Sequence, residues 1–243
     1  MNTTAFLLFQ LYGPIASWGE SAVGEVRHTA SWPTRSALIG LLGAALGLDR
    51  DAPDQARLQS DYRFAVKILT EGTAMRDYQT VQTSEPRRGR AHRNRHQQLG
   101  AGQTLSTLLT YRDYRNDARA IIAVQAAPDA RWGVDELASA LIRPTFTPYL
   151  GRKSCALALP MKPEIAHKST IEAALDGYPA DWLPDCRWID RRRSKRTVGY
   201  AWEPGMPTAM TATFTHNRPD QPLSRSRWQF MPRCESVRLV STS

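Results

Sequence analysis

Short continuous apolar runs and helix-spaced apolar residues alternate along the first two thirds of this chain. Phe6 to Tyr12 is an apolar run closed by Gly13-Pro14, which predicts a buried strand. After a loop, Leu38, Leu41, Leu42, Ala45 and Leu46 recur at helical spacing. Pro33 is read in the first turn of that helix and Gly47 as its stop. Further runs predict strands at Tyr62 to Leu69 and Ala120 to Ala126. A helix from about Gly133 to Ile142 follows the Pro128-Asp129 turn, and a last strand is expected near Cys155 to Leu159. The order βαββαβ is that of an α+β, ferredoxin-like (RNA-recognition-motif-like) sandwich.

Residues 75–116 are too many for a structureless hairpin turn. Tyr78 to Thr83 and Gln103 to Tyr111 are rich in threonine and apolar residues, the composition of two paired strands. Between them lies a basic stretch from Glu85 to His96, so the segment reads as a protruding β-hairpin, a thumb, inserted into the core fold. From Pro160 onward prolines punctuate the chain. A short helix near Thr170 to Leu175 and strands near Thr208 to Thr215 and Ser236 to Val240 predict a small C-terminal β-rich appendage. The expected division is a domain at 1–165, carrying the thumb, and a smaller one at 166–243.

Charge narrows the function classes. The 243 residues carry a formal net charge of +9, which draws a protein to polyanions, nucleic acid first among them. No run approaches the roughly 20 apolar residues of a membrane span, and the opening Met1-Asn2-Thr3-Thr4 lacks the basic start of a signal peptide. The chain is therefore expected to be cytoplasmic and to use no membrane. Its three cysteines, Cys155, Cys186 and Cys234, are isolated, without the spacing of a zinc site; no metal and no cofactor are expected.

Two distant segments share one chemistry: Trp32-Pro33-Thr34-Arg35-Ser36, and Thr147 to Ser154 with Gly151, Arg152 and Lys153. In each, hydroxyls and a cation stand at an element boundary, a combination that receives anionic oxygens. If the two meet in space they form a phosphate groove. Gly40 and Gly43 weaken the first helix intrinsically, which suggests close approach of another backbone or of a ligand. The candidate RNA-binding set is Arg27, Pro33, Thr34, Arg35, Ser36, Gly40, Gly43, Gly151, Arg152, Lys153 and Ser154. The thumb adds Arg87, Arg88, Arg90, Arg93, Arg95, Tyr111 and Arg112 as RNA or partner contacts, arginine favouring bidentate phosphate contact and stacking.

A second basic cluster, Arg187, Arg191, Arg192, Arg193, Lys195 and Arg196, reads equally as solubilising surface or contact. Trp18 and Trp32 are either base stackers or packing anchors. The aromatic signature of ordinary RNA-recognition motifs is absent, which favours recognition through loops and thumb. For metal-independent RNA cleavage the candidates are His28, His92, His96, Tyr12 and Lys67, and they form no recognisable acid–base pair. No catalytic residue is assigned.

The run Trp32 to Gly47, the triplet Arg76-Asp77-Tyr78 and the run Thr147 to Cys155 resemble the CasD family, the Cas-five-type (RAMP) subunits of type I-E CRISPR Cascade complexes. The likeness extends from the first strand to about residue 160 and resumes loosely around Pro222 to Trp228. It implies a ferredoxin-like RAMP domain with a thumb, and a non-catalytic subunit that binds and caps the 5′ handle of CRISPR RNA in antiviral defence. The implied protein partners are the Cascade backbone subunits and the large PAM-reading subunit, with contact to target DNA left open. The alternative is a metal-independent CRISPR-repeat endoribonuclease, because type I-C relatives cut their repeat RNA. A free-standing basic RNA-binding protein is the third reading.

Overall fold

The computed structural model describes residues 3–20, 22, 24–84, 93–100, 104–179, 198–224, 227 and 229–240. A seven-stranded antiparallel sheet organises the fold. Within it β1 (Thr4–Tyr12) and β7 (Arg119–Ala126) pair from Phe6 opposite Gln125 to Tyr12 opposite Arg119. β8 (Glu164–Lys168) flanks β1, and β4 (Tyr62–Thr70) flanks β7. Beyond β4 come β9 (Gly199–Trp202), β11 (Gln229–Leu239) and β10 (Phe214–Ser224), so the C-terminal strands continue the same sheet.

β1 and β7 are mostly apolar, because both faces of this sheet are covered. On one face Leu7, Phe9, Leu11, Ile122 and Val124 pack against α1 (Arg35–Leu46) and α4 (Val134–Ile142) through Leu38, Ile39, Leu42, Leu137 and Leu141. On the other, Phe6, Leu8, Ile121 and Ala123 pack with Ile171, Ala174 and Leu175 of α5 (Ile171–Gly177), Trp202 and Met206. Each fully buried side chain of this size contributes about 1.5–3 kcal/mol. No described helix is long and apolar enough to cross a membrane.

α1 starts after Pro33 and not with it. Thr34 is the N-cap and its hydroxyl accepts from Ala37 N–H, so Pro33 precedes the helix instead of occupying its first turn. At the other end Gly47 adopts φ 74°, and the bonds Gly47 N–H to Ala44 and Leu48 N–H to Gly43 close a Schellman motif. Leu48 leads to α2 (Gln55–Ser60), which delivers the chain to β4.

The hairpin insertion is present as β5 (Thr73–Ser84) and β6 (Leu105–Asn116), paired without a register break from Thr73 opposite Asn116 to Ser84 opposite Leu105. A short helix, α3 (Arg95–Leu99), lies between them. The opposite edge of β6 is met by two short strands, β2 (Ile15–Ala16) and β3 (Val26–Arg27).

Three expectations need correction. Cys155 to Leu159 is not a strand: Ala158 N–H bonds Tyr12 carbonyl, and the segment folds over the end of β1. The strand that borders β1 is β8, whose sequence Glu-Ile-Ala-His-Lys is that of a half-exposed edge. Strand β10 begins at Phe214, since Thr208 instead bonds Glu172 beside α5. β11 begins at Gln229, seven residues before the expected Ser236.

Candidate nucleic-acid interface

Alternation along β5 and β6 puts Arg76, Tyr78, Thr80 and Gln82 on one face of the hairpin with Asp113, Tyr111, Leu109 and Thr107 opposite them. Asp113 organises the base of this face. Arg76 grips it bidentately, Nε to Oδ1 at 2.7 Å and an Nη to Oδ2 at 3.0 Å, and His28 Nδ1 lies 3.0 Å from Oδ2. The Arg76 guanidinium, helped by His28, holds the Asp113 carboxyl below the usual carboxylate range against the opposing effect of partial burial. The Asp113 carbonyl accepts from Arg152 and from the Ser17 hydroxyl. Arg152 also bonds the Arg27 carbonyl and stands 4.8 Å over the Tyr114 ring. Neither Arg27 nor Arg152 has a carboxylate in ion-pair range among the described residues.

Beside these charges lies an aromatic surface. Tyr78 is 54% exposed, its ring 5.4 Å from that of Tyr111, and Arg76 lies 6.0 Å from the Tyr111 ring. Cations and a stackable aromatic pair on one hairpin are the two ingredients of single-strand binding, phosphate contact and base stacking.

Of the sequence-predicted residues only Tyr111 lies on this face; Arg112, opposite Asp77, and Arg27, in register with Arg112, belong to the other face, as does Arg152 over Tyr114, with Lys153 and Ser154 exposed beside it in sequence. Arg93 and Arg95 are exposed near α3; Arg95 bonds Gln98 and the Gln82 carbonyl. Arg87, Arg88 and Arg90 lie outside the described residues, as does the basic cluster from Arg187 to Arg196.

The Trp32 to Ser36 segment is elsewhere. Arg35 is 5% exposed and is held by Glu203 and by the carbonyls of Gln59 and Tyr62. Pro33 and Thr34 are buried, and Ser36 bonds Thr34. The expectation that Arg35 joins Arg152 around a phosphate is therefore corrected: its charge is neutralised inside the protein, and no contact links the two arginines. Gly40 has open space where a side chain would start, so no close approach explains it. Gly43 does have a near neighbour, the Gln55 side chain of α2. Gly151, at φ 88°, passes so close to the Ser17 carbonyl that a Cβ would sit 1.8 Å from its oxygen, which is a packing role.

Trp18 and Trp32 are packing anchors: Trp18 is buried, and Trp32 Nε1 donates to Glu235 at 3.0 Å beneath Arg218. Lys67 is paired with Asp176. Arg76, Tyr78 and Asp113 were missing from the sequence-based set. The alternation of β5 was the signal that would have found the first two, because it places both beside Tyr111.

The family described as CRISPR-associated protein (Cas_Cas5) matches residues 6–234. The chain is 35% identical over 185 residues to the CRISPR system Cascade subunit CasD of Escherichia coli (strain K12), covering 72% of this chain and 77% of that protein. Among solved structures it resembles a chain of a CRISPR RNA-guided surveillance complex, with a TM-score of 0.63 and 26% identity over 97% of this chain and 89% of that one. It also resembles a Cas protein, with a TM-score of 0.61 and 25% identity over 96% of this chain and 92% of the other. Sequence and fold thus agree over nearly the whole length, and the chain belongs to the CRISPR-associated protein family (Cas_Cas5).

Proposed function

We propose that this chain is a Cascade subunit of the CasD kind, which binds and caps the 5′ handle of CRISPR RNA in the cytoplasm and performs no cleavage itself. The 35% identity to CasD supports the assembly. The observation that carries RNA binding is the hairpin base, where Arg27 and Arg152 meet without a carboxylate partner among the described residues on one face and the exposed Tyr78–Tyr111 pair lies on the other. In this reading Arg27, Arg152, Lys153 and Ser154 hold handle phosphates while Tyr78 and Tyr111 stack on bases. Arg112 and the basic residues Arg87, Arg88, Arg90, Arg93 and Arg95 extend contact along the hairpin, toward RNA, target DNA or the neighbouring backbone subunit. The large PAM-reading subunit is the other protein partner.

The order β8-β1-β7-β4, with α1 and α4 in the two crossovers, supports a ferredoxin-like RAMP domain at 1–165 with β5 and β6 as its thumb. Residues 166–243 then form the C-terminal part that lengthens its sheet.

Changing Arg27, Arg152 and Lys153 together to alanine is expected to weaken handle-RNA binding about a hundredfold, at roughly 1 kcal/mol per lost contact. The log–log salt dependence should become shallower by roughly 2, at about 0.7 per phosphate contact on a single strand. Fluorescence anisotropy across a salt series measures both; unchanged affinity and slope would put the groove elsewhere. Incubation with labelled repeat RNA without metal is expected to leave it intact, and a discrete cleaved handle would make the chain an endoribonuclease instead.

A further inference from the structure

The hairpin carries a long strand edge that nothing in the described chain covers, and the direction of its backbone groups is fixed. Tyr111 N–H bonds the Glu25 carbonyl, and the Asp113 carbonyl accepts from Arg152 and Ser17. Odd-numbered residues of this part of β6 therefore point away from β5. In an antiparallel ladder, residues opposite each other share that phase. Arg76 and Tyr78, opposite Asp113 and Tyr111, thus point their N–H and C=O groups away from β6, and so do Ala74 and Thr80. The Gln82 carbonyl obeys the same phase, being bonded by Arg95 on the outer side. α3 covers that distal end, where Gln98 also bonds the Thr83 hydroxyl. From Ala74 to Thr80 no backbone hydrogen bond other than those of the β5–β6 ladder is made among the described residues.

Proteins ordinarily blunt such an edge with proline, lysine, a bulge or an inward charge. This chain does so at its other long edge: β10 contains Pro219 and Pro222 and two register irregularities. β5 has neither proline nor glycine, and its ladder is unbroken. Its one outward-phase cation, Arg76, is folded back onto Asp113.

We propose that the Ala74 to Thr80 edge of β5 is a docking strand, onto which an extended segment of another polypeptide adds by backbone hydrogen bonding. The chemistry of the edge selects that occupant. Donors and acceptors alternate along it, and a sugar–phosphate backbone supplies acceptors to the N–H groups but leaves the carbonyls unpaired. A second copy of the chain is disfavoured because each carries a net charge of +9. Seven strand residues span roughly 23 Å, enough for a partner segment of five to seven residues. An apolar side chain in that segment would lie against Tyr78, on the face that also exposes Leu109.

This inference rests on the reading of the chain as a subunit of a multiprotein complex, and the two can fail separately. Amide hydrogen exchange is measured on the isolated chain and on the complex reconstituted with the other subunits and guide RNA. The amides of Arg76, Tyr78 and Thr80 are expected to exchange at least tenfold more slowly in the complex. Thr80→Pro removes only an outward N–H, so the hairpin should persist while incorporation into the complex falls at least tenfold; Thr80→Ala should assemble normally. A complex whose β5 amides exchange as in the free chain, or a Thr80→Pro variant that assembles like the parent, would overturn strand addition and leave the RNA-binding reading standing. Protection by guide RNA alone, or concentration-dependent dimers that protect the same amides, would also overturn it. Failure of the unaltered chain to join the complex would remove both.

Discussion

Replacing Gly151 with alanine is expected to be among the most damaging single changes in this protein, and to act through folding before it touches RNA. Gly151 sits at φ 88°, and a Cβ there would meet the Ser17 carbonyl oxygen at 1.8 Å and its carbon at 2.8 Å. Positive φ alone costs a residue with a Cβ about 1–3 kcal/mol. The overlap must also be relieved by moving backbone. That movement pulls on Ser17 N–H, which bonds the Leu150 carbonyl at 3.0 Å, and on Leu150, which is fully buried. A loss of at least about 3 kcal/mol follows, which in a chain of this size lowers the melting temperature by roughly 6–12 °C. Thermal unfolding measures it. Retained stability with lost RNA affinity would instead favour the expectation that this glycine admits a ligand.

The core was legible because its elements announce themselves locally. β1, β4 and β7 are apolar runs that only a sheet covered on both faces accommodates, and α1 has helical spacing and a glycine stop that adopts the left-handed conformation. The hairpin was legible too, since β-formers flank a polar tip. β8 was missed because an edge strand with half-exposed residues carries no periodic signal, while Cys155, Leu157 and Leu159 alternate for another reason, capping the end of β1.

The site was only half legible. Arg152 and Arg27 do meet at the base of the hairpin, and Arg76 and Tyr78 entered only through the triplet that marked the family resemblance. Arg35 was misread because its chemistry is nonlocal. Its partners Glu203 and Asp220 lie 168 and 185 residues away, so nothing within the Trp32 to Ser36 segment reveals that the guanidinium is already neutralised.

Arg35→Ala is accordingly expected to show itself as instability and not as a changed salt slope of RNA binding. Arg35, Arg218 and Arg233 form a buried network with Glu203, Asp220 and Glu235. Arg233 bonds Asp220 at 2.7 and 3.0 Å and Glu235 at 2.7 Å, and the backbone N–H of Arg35 bonds Asp220 at 2.8 Å. The network ties the start of α1 to the outer strands of the sheet. Removing one partner of a buried pair costs about 3–5 kcal/mol, because the other charge stays buried without compensation. A combined Arg35→Met and Glu203→Leu variant should recover part of that loss, since an apolar pair leaves no orphaned charge.

The pH response gives the network a signature. Burial pushes Glu235 up, but Arg218 and Arg233 more than offset it and bring its pKa from an ordinary 4.5 down to about 2. A carboxyl depressed on folding adds stability that is complete above its unfolded value and lost as the pH falls through its folded one. Glu235 should therefore contribute about 3 kcal/mol at neutral pH that disappears between pH 4.5 and 2. Glu203 works in the opposite sense, because its burial outweighs Arg35 and Arg233 and raises its pKa. In Arg35→Ala that rise should be larger still, and protonating the carboxyl, left with only the more distant Arg233, relieves the penalty. The stability deficit of the variant should consequently be greatest near pH 8 and shrink as the pH falls toward 5. Denaturant unfolding of both proteins across that range tests it. A deficit that is independent of pH, or absent together with a shallower RNA salt slope, would return Arg35 to the phosphate groove.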